Sequence, residues 1–363
     1  MSKSFRHKLF LLVIIITVIA LTSACSRSAN TSKLSTQEEI ADYFKGKTIT
    51  ILVGYEPGGG FDTYARIYAE HLKNHVPGNP KVLVENKPGG GSILALQTAM
   101  RAKPDGLTMI VFPGGLATRS VLGEKIEGFT WDQPRYLGAP DKSGYQALYV
   151  RTDVAKSWND VLKLGRPLKH GETERGQVVG IGPTWAETVG APIKNVYGYG
   201  GSSDLMAALE RKELESMTRG YKQMVDPQFP EWAQKKTITP VFWWSEPIPD
   251  DYLKQMGWTQ PPHIFDVIKA TDAQKQALEK SISLTKTSRI IALPKEVPDN
   301  IFNVLNKATE ATIKDPKFIE AMNKRSYEVQ YTSGEDLLKM FKSATDGSEE
   351  VKKIMKEALG LVN

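Results

Sequence analysis

Residues 48–62, TITILVGYEPGGGFD, join an apolar run directly to a glycine-rich turn. The first six of these residues are apolar or β-branched, with the length and composition of a buried strand. The segment from Thr63 to Val76 then has helical periodicity, and Pro77 and Gly78 end it. The residues predicted to face inward are Ala65, Tyr68, Ala69, Leu72 and Val76. The sequence therefore predicts a strand, a glycine loop and a helix.

The same unit recurs downstream. A predicted strand at 81–85 leads through a glycine turn at 89–91 into a predicted helix at 92–102. A further strand at 107–112 ends in Pro113, Gly114 and Gly115. Strands that alternate with helices form βαβ crossovers and a largely parallel sheet. Because ligands bind beyond the carboxyl ends of such strands, we expect the three glycine-bearing loops to share one rim.

A second block begins after a predicted strand at 145–150. Its predicted elements are a strand near 177–181, a glycine loop at 198–203, a helix at 204–212 and a closing strand at 288–293. The chain beyond is predicted to be helical at 299–313, at 315–324 and from 333 onward. Single cores stop growing at roughly 250 to 300 residues. The chain, with 363 residues, is therefore expected to form two domains, or one domain with a large insertion.

The first 24 residues have the pattern of a signal peptide. Three basic residues precede an apolar run from Leu9 to Leu21, which is short for a bilayer crossing of roughly 20 residues. Small residues then lead into Cys25, the only cysteine, at the spacing of a lipoprotein signal. We therefore expect residues 1–24 to be removed and Cys25 to carry a lipid anchor, with residues 25–37 as a flexible tether.

Composition excludes several classes of protein. A hydrophobic fraction of 40% argues against a disordered chain. A single cysteine excludes a disulfide scaffold and any cysteine-based zinc or iron–sulfur site within the chain. The net formal charge of +6, part of which belongs to the signal peptide, is too mild to indicate nucleic-acid binding. No loop matches the phosphate fingerprint GxxxxGK[ST], and we expect no cofactor.

Four segments carry a family likeness: TITILVGYEPGGGFD at 48–62, VLVENKPGGGS at 82–92, VYGYGGSSDLMAALERKELE at 196–215 and KDPKF at 314–318. Together they resemble the solute-binding receptors of tripartite tricarboxylate transporters, the Bug family. The resemblance covers almost all of the chain from Lys45 onward. It implies an α/β architecture, the two-lobed periplasmic-binding-protein fold, in which each lobe is a mostly parallel sheet flanked by helices. Residues 38–150 and 288–363 would form lobe 1, and residues 151–287 lobe 2, with the ligand cleft between them.

The resemblance also implies a binding site. Family receptors hold a carboxylate through main-chain amides of the first PGGGxD loop, here Pro57 to Asp62, and the opposite lobe supplies a second loop, here Tyr197 to Asp204. Glycines let N–H groups approach a ligand closely, and a helix N-terminus adds partial positive charge. We expect Asp62 and Asp204 to cap the following helices and to face away from the anion. The predicted ligand-binding residues are Tyr55, Pro57, Gly58, Gly59, Gly60, Phe61, Asp62, Gly114, Gly115, Tyr199, Gly200, Gly201, Ser202, Ser203 and Asp204.

The function that the resemblance implies is a lipid-anchored extracytoplasmic receptor. It would capture a small organic carboxylate and deliver it to the membrane permease subunits of a tripartite tricarboxylate-type transporter. The alternative is an exported, hydrolase-like lipoprotein enzyme that acts on a small acid in the same cleft. The segments GGSIL at 90–94 and GGSSD at 200–204 lack the final glycine of the hydrolase motif GxSxG.

Other charged residues are weaker candidates for the site. Arg119, Arg219 and Lys222 are the nearest cations in sequence, and solvated surface charge is the favoured interpretation for all three. His71 and His75 have the i, i+4 spacing of metal ligands on a helix, but no HExxH motif surrounds them. We expect both histidines to be exposed helix residues, and no metal site.

Overall fold

The computed structural model of the protein describes residues 36–141, 146–173, 175, 180–220, 224, 232, 235–284, 288–325, 327–344 and 346–361, without the side chains of residues 141, 202 and 203. Cys25 and Lys222 lie outside the described residues, as do the signal peptide and most of the tether. Of the helices described, none combines the length and the apolar character needed to cross a membrane.

The first half of the chain alternates strands and helices. In chain order the elements are α1 (Gln37–Phe44), β1 (Thr48–Val53), α2 (Gly60–Leu72), β2 (Lys81–Asn86), α3 (Ile93–Met100), β3 (Thr108–Pro113), α4 (Gly114–Val121), β4 (Arg135–Asp141), β5 (Gln146–Arg151), α5 (Trp158–Leu162), β6 (Leu168–Gly171), α6 (Ile181–Thr188), β7 (Ile193–Val196) and α7 (Ser202–Glu210). The second half continues with β8 (Ser216–Gly220), β9 (Ile238–Trp243), α8 (Asp250–Met256), α9 (Ile264–Val267), α10 (Asp272–Leu284), β10 (Arg289–Leu293), α11 (Asp299–Lys314), α12 (Pro316–Asn323), β11 (Val329–Thr332), α13 (Gly334–Ala344) and α14 (Glu349–Ala358).

The strands form two sheets with a shared plan. The first has the order β11-β4-β10-β3-β1-β2 and the second the order β7-β6-β8-β5-β9. Strand β1 pairs in parallel with β2 and β3, and β6 pairs in parallel with β7 and β8. Each sheet has a reversed strand in its interior, since β10 is antiparallel to β3 and β4, and β5 is antiparallel to β8 and β9. The edge strand β11 of the first sheet is also reversed, because it is antiparallel to β4. Strand β2 therefore corresponds to β7, β1 to β6, β3 to β8, β10 to β5 and β4 to β9.

This plan confirms the α/β class and refines the largely parallel sheets that the sequence predicts. Both sheets are mixed: each crossing of the chain between them inserts a strand of opposite direction, and β11 adds a further one at the edge of the first sheet. The predicted strand at 145–150 corresponds to β5 and hydrogen-bonds in the second sheet, although the sequence-based division placed it in lobe 1. The division into lobes otherwise stays a prediction.

The two sheets share an apolar core. One continuous cluster of buried side chains contains Phe112 of β3, Phe242 of β9 and Leu278 of α10. Helix α10 packs against α6 as well as against α13 and α14. The indole N–H of Trp185 in α6 donates to the carbonyl of Gln274 at 3.0 Å. The core thus links the second sheet to the helices of the first, rather than ending at the crossing.

Local signals placed most elements of the first sheet correctly. Thr36 and Glu39 form a reciprocal cap at the start of α1, with Glu39 N–H donating to Thr36 Oγ1 at 3.1 Å and Thr36 N–H donating to the Glu39 carboxylate at 3.0 Å. All five residues predicted to face inward on α2 and its extension are buried. Helix α2 begins at Gly60 and ends at Leu72, so the predicted helix started and ended too late.

Two element predictions in the remaining chain were wrong. Ile181 begins helix α6 and is not the end of a strand, and residues 177–179 lie outside the described residues. The predicted helix from Ser333 onward is two helices, α13 and α14. The sequence interpretation also missed strands β4, β6, β8, β9 and β11.

Candidate ligand-binding cleft

The three glycine-bearing loops of the first sheet lie at one rim, as predicted. Strands β1, β2 and β3 run in the same direction, so their carboxyl ends meet at one edge. The loops after β1 and β2 touch there: a Cβ atom on Gly54 would lie 2.3 Å from Ser92 Cα. Ser92 is fully buried and has a positive φ of 82°. Gly54 therefore allows two main-chain segments to pack together under the rim.

The first candidate loop opens helix α2. Gly59 is the N-cap and Gly60 the first helical residue, and both are at least partly exposed. The N–H groups of a first helical turn have no intrahelical acceptors, and the helix dipole places partial positive charge there. The N–H groups of Gly60 and Phe61 belong to this turn. These two N–H groups can donate hydrogen bonds to an anion.

Asp62 organises the loop from the third helical position. Its Oδ2 accepts the N–H of Gly58 at 2.8 Å, its Oδ1 accepts the side-chain amide of Asn86 at 2.9 Å, and Arg66 forms an ion pair with it at 2.8 Å. The same amide of Asn86 donates to the carbonyl of Tyr55 at 3.0 Å. Asp62 thus accepts an N–H group of its own loop, but Gly59 is the N-cap of the helix, so the prediction that Asp62 caps it was wrong.

The ionisation of Asp62 follows from these contacts. Burial opposes the charged form, but the hydrogen bonds from Arg66, Gly58 and Asn86 and the charge of Arg66 outweigh it, so the pKa of Asp62 is lowered. The carboxylate is thus held as an anion inside its own network. Gly58 has its N–H committed to Asp62, which leaves the N–H groups further along the turn for a ligand.

The second candidate loop repeats this geometry. The N–H of Gly200 donates to Asp204 Oδ2 at 3.0 Å, Gly201 is the N-cap, and α7 begins at Ser202. In both loops the aspartate lies four residues after the glycine whose N–H it accepts. The side chains of Ser202 and Ser203 lie outside the described residues, so their predicted hydroxyl contacts stay predictions. The second loop follows β7, an edge strand, whereas the first follows β1 inside its sheet.

Aromatic side chains border the first loop. The rings of Tyr55 and Phe61 stack with centroids 4.6 Å apart and an interplanar angle of 28°. Both residues are half-buried and pack against the core of the first sheet. Tyr199 is also half-buried and packs against the separate core cluster of the second sheet. Each ring divides its surface between a core cluster and the rim.

Gly114 and Gly115 lie within the first turn of α4 and are buried. The N–H of Gly114 donates to the carbonyl of Ser288 at 3.1 Å. This contact joins the ends of β3 and β10 and removes that N–H from the donors that a ligand would use. The position of Gly114 therefore does not favour its predicted contact with a ligand.

Two of the cations predicted to lie on the surface, Arg119 and Arg219, have different environments in the structure. Arg119 is half-buried and forms a two-point contact with Glu124, so its charge is balanced locally. Arg219 at the end of β8 is only 8% exposed, and the surface interpretation was wrong for it. Burial lowers the pKa of Arg219 to about 10, against the opposing effects of Tyr327 and Glu172.

Arg289 is a rim residue that the sequence interpretation missed. It opens β10, whose reversed direction brings its first residue to the carboxyl ends of β1 and β3. A Cβ atom on Gly60 would lie 3.3 Å from both Arg289 Nη2 and Tyr327 Oη. The only local signal was a basic residue immediately before a short apolar strand, and that pattern is common.

The two histidines on α2 and just beyond its end are tied to α12. His75 Nε2 lies 3.0 Å from Asp315 Oδ2, and the His71 ring contacts the Phe318 ring edge-on at 5.7 Å. Both are half-buried, which corrects the expectation that they are exposed. Within the described part of the chain, no group of three or more His, Cys, Asp or Glu side chains is arranged to hold a metal ion.

Similarity to curated proteins is confined to part of the chain. Over 71 residues the chain is 41% identical to a UPF0065 protein of Bordetella pertussis, a match that covers 20% of this chain and 21% of that relative. The chain thus covers about a fifth of the length of the curated relatives it matches first. No protein-family model matches the chain.

Solved structures match over most of the chain. The periplasmic binding protein BugD superposes with a TM-score of 0.63 at 20% identity, over 86% of this chain and 97% of BugD. MatC of Rhodopseudomonas palustris, solved with bound malate, superposes with a TM-score of 0.62 at 15% identity, over 85% of this chain and 99% of MatC. The fold is therefore that of periplasmic binding proteins. The resemblance to the Bug and TctC-like receptors that the sequence motifs indicated is confirmed.

Proposed function

We propose that this protein is an extracytoplasmic solute-binding receptor that holds a small organic carboxylate between its two glycine loops. The observation that carries the proposal is the first loop, in which an exposed glycine turn presents a helix N-terminus while Asp62 is held in its own network. The second loop repeats the same arrangement from the other sheet. The binding-protein fold and the malate found in MatC support the proposal.

The energetics suit an anion. A hydrogen bond to a charged group contributes about 1.5 to 3 kcal/mol. Three or four such bonds, after the cost of association, are enough for a micromolar dissociation constant. A ligand that contacts both loops does so only when the lobes are closed around it. Its higher affinity for that state shifts the population toward closure.

Thermal stability in the presence of candidate ligands tests this proposal. Protein lacking residues 1–25 is expected to unfold at higher temperature with a mono-, di- or tricarboxylate, because a ligand that binds only the folded state stabilises it by mass action. Sugars and amines of similar size serve as controls. A shift with the sugar or amine panel and none with the organic acids would show that the cleft is not an anion site.

One group of side chains resembles the serine, histidine and carboxylate arrangement that the hydrolase-like alternative would need. Ser216 Oγ lies 3.1 Å from His170 Nδ1, and His170 Nε2 lies 2.8 Å from Glu172 Oε1. A nucleophile must be reachable by the substrate. Ser216 and His170 are both fully buried between neighbouring strands, and Ser216 Oγ also contacts the carbonyl of Lys169 at 3.3 Å. The receptor is therefore the better proposal, with no catalytic step.

Membrane anchoring through Cys25 and delivery of the ligand to a tripartite tricarboxylate-type permease are part of the proposal. They rest on the signal pattern of the first 25 residues and on the family resemblance. Cys25→Ser is expected to move the full-length receptor from the membrane fraction to the soluble extracytoplasmic fraction, because it removes the sulfur that takes the lipid. Cell fractionation and immunoblotting measure this. Retention of the variant in the membrane would indicate an uncleaved hydrophobic anchor instead.

A further inference from the structure

The two sheets place different groups at corresponding positions. By strand order, the β1–α2 loop of the first sheet corresponds to the β6–α6 segment of the second, since β1 and β6 hold the same place in their sheets. Helix α2 begins at exposed Gly60. Helix α6 begins after Gly180, which is buried. The two helix N-termini are therefore not equally open to a ligand.

The protein's own carboxylate occupies the position beside α6. A Cβ atom on Gly180 would lie 2.3 Å from Glu172 Cδ, so the carboxylate packs directly against the N-cap of the helix. Glu172 is 4% exposed and its Oε1 lies 2.8 Å from Nε2 of fully buried His170. The Glu172 side chain fills the space beside this helix N-terminus and leaves no room there for a ligand. The second lobe must therefore present positive charge to a ligand from the N-terminus of α7 and from a side chain near it.

Arg219 provides that charge. It lies near the end of β8, and its Nη2 lies 3.4 Å from Met206 Sδ in α7, the helix that the second glycine loop opens. Tyr327, from the first lobe, and Glu172 both oppose the lowering of the Arg219 pKa by burial. Because β7 and β8 both run parallel to β6, the end of β8 lies at the same edge of the second sheet as the second loop, which places Arg219 beside that loop.

Arg289 has the matching place in the first lobe. Its guanidinium carbon lies 5.1, 5.5 and 4.9 Å from the ring centroids of Phe61, Tyr64 and Tyr327, distances at which aromatic faces attract a cation. Tyr327 Oη is 3.4 Å from the carbonyl of Gly60. Each glycine loop thus has one arginine beside it.

We propose that Arg219 and Arg289, the arginine pair, bind the ligand across the cleft and select an acid with two ionised groups over the singly charged acid of the same length. This inference rests on the proposed function. It assigns the selection to two side chains from opposite lobes, in addition to the main-chain amides of the loops. Guanidinium groups suit this role because they stay charged and form paired hydrogen bonds with carboxylates.

Titration calorimetry with matched acids tests the arginine pair. The probes are three pairs of acids of equal length, succinate with butyrate, glutarate with pentanoate, and adipate with hexanoate. They are measured on protein lacking residues 1–25. The diacid is expected to bind about tenfold or more tightly than its monoacid, the loss expected for one charged hydrogen bond. Arg219→Gln and Arg289→Gln are each expected to reduce that preference to about threefold or less. Arg101→Gln, on an exposed arginine of the first lobe, is expected to preserve it.

The outcomes separate this inference from the proposed function. If none of the acids binds the unaltered protein, while sugars or amines do, the arginine pair and the proposed function are both wrong. If the acids bind but both glutamine variants keep the full preference for the diacid, the arginine pair is overturned and the receptor stands. Because Arg219 is buried, Arg219→Lys is measured as well: it keeps the charge and is expected to retain part of the preference. If Arg219→Gln does not fold, Arg289→Gln alone decides. The inference is overturned if that variant prefers the diacid over the monoacid as strongly as the unaltered protein does.

Discussion

Gly59→Val is expected to abolish the stabilisation of the protein by organic acids while the protein remains folded. The backbone at Gly59 has φ −75° and ψ 174°, a conformation that valine adopts readily. A Cβ atom there would meet only the Glu56 carbonyl, at 3.5 Å. The branched side chain would therefore cover the first turn of α2 and displace a bound anion without disturbing the core. We expect the affinity to fall about 100-fold or more, the loss expected when two or more charged hydrogen bonds are prevented.

Titration calorimetry and thermal unfolding measure the two parts of this expectation separately. Gly59→Ala is the graded variant and is expected to bind with intermediate affinity. Gly201→Val is the matched change in the second loop, where a Cβ atom would have no neighbour within 4 Å. If Gly59→Val binds organic acids with the affinity of the unaltered protein, the ligand site lies elsewhere.

Gly54→Ala is expected to lower the free energy of unfolding by about 3 kcal/mol or more, in the upper range for overpacking a rigid site. The new Cβ would lie 2.1 Å from Ser92 Oγ and 2.3 Å from Ser92 Cα. A main-chain atom of a fully buried residue cannot move away cheaply. The two loops would have to separate, and the rim on which α2 begins would be displaced.

Denaturant unfolding of paired variants tests the Gly54 contact. Gly59→Ala adds the same methyl group to the same loop without a close neighbour, and its stability is expected to be near that of the unaltered protein. Ser92→Gly removes two of the three closest atoms and should restore part of the stability lost in Gly54→Ala. Full stability of Gly54→Ala on its own would mean that the loops after β1 and β2 are not in contact.

Local sequence patterns predicted those parts of the fold that depend on local interactions. The apolar run of β1, its glycine turn and the amphipathic face of α2 lie within one short segment, and all three were recognised. Strands β6 (LKHG) and β8 (SMTRG) were missed because they are short and carry polar residues. Their polar side chains instead form the buried contacts among His170, Ser216 and Thr218.

The directions of β5 and β10 depend on the crossings between the sheets, which no local pattern specifies. The site shows the same difference between features that a local sequence pattern specifies and features that depend on the path of the whole chain. The glycine loops and their aspartates are contiguous motifs, so the sequence indicated both. Arg289 reaches Gly60 only because β10 returns to the first sheet after a long excursion of the chain. Arg219 has a polar local sequence typical of a surface, and its burial results from packing beside α7.

Identification of the small molecule that the protein retains tests the central claim most directly. Protein lacking residues 1–25 would be incubated with a mixture of organic acids, separated from unbound solutes and denatured, and the released molecules identified by mass spectrometry. We predict the release of an organic acid, chemically unchanged and in about equimolar amount, from the unaltered protein but not from Gly59→Val. Release of a chemically altered acid, of a neutral or cationic solute in its place, or of equal amounts from both proteins would contradict the account.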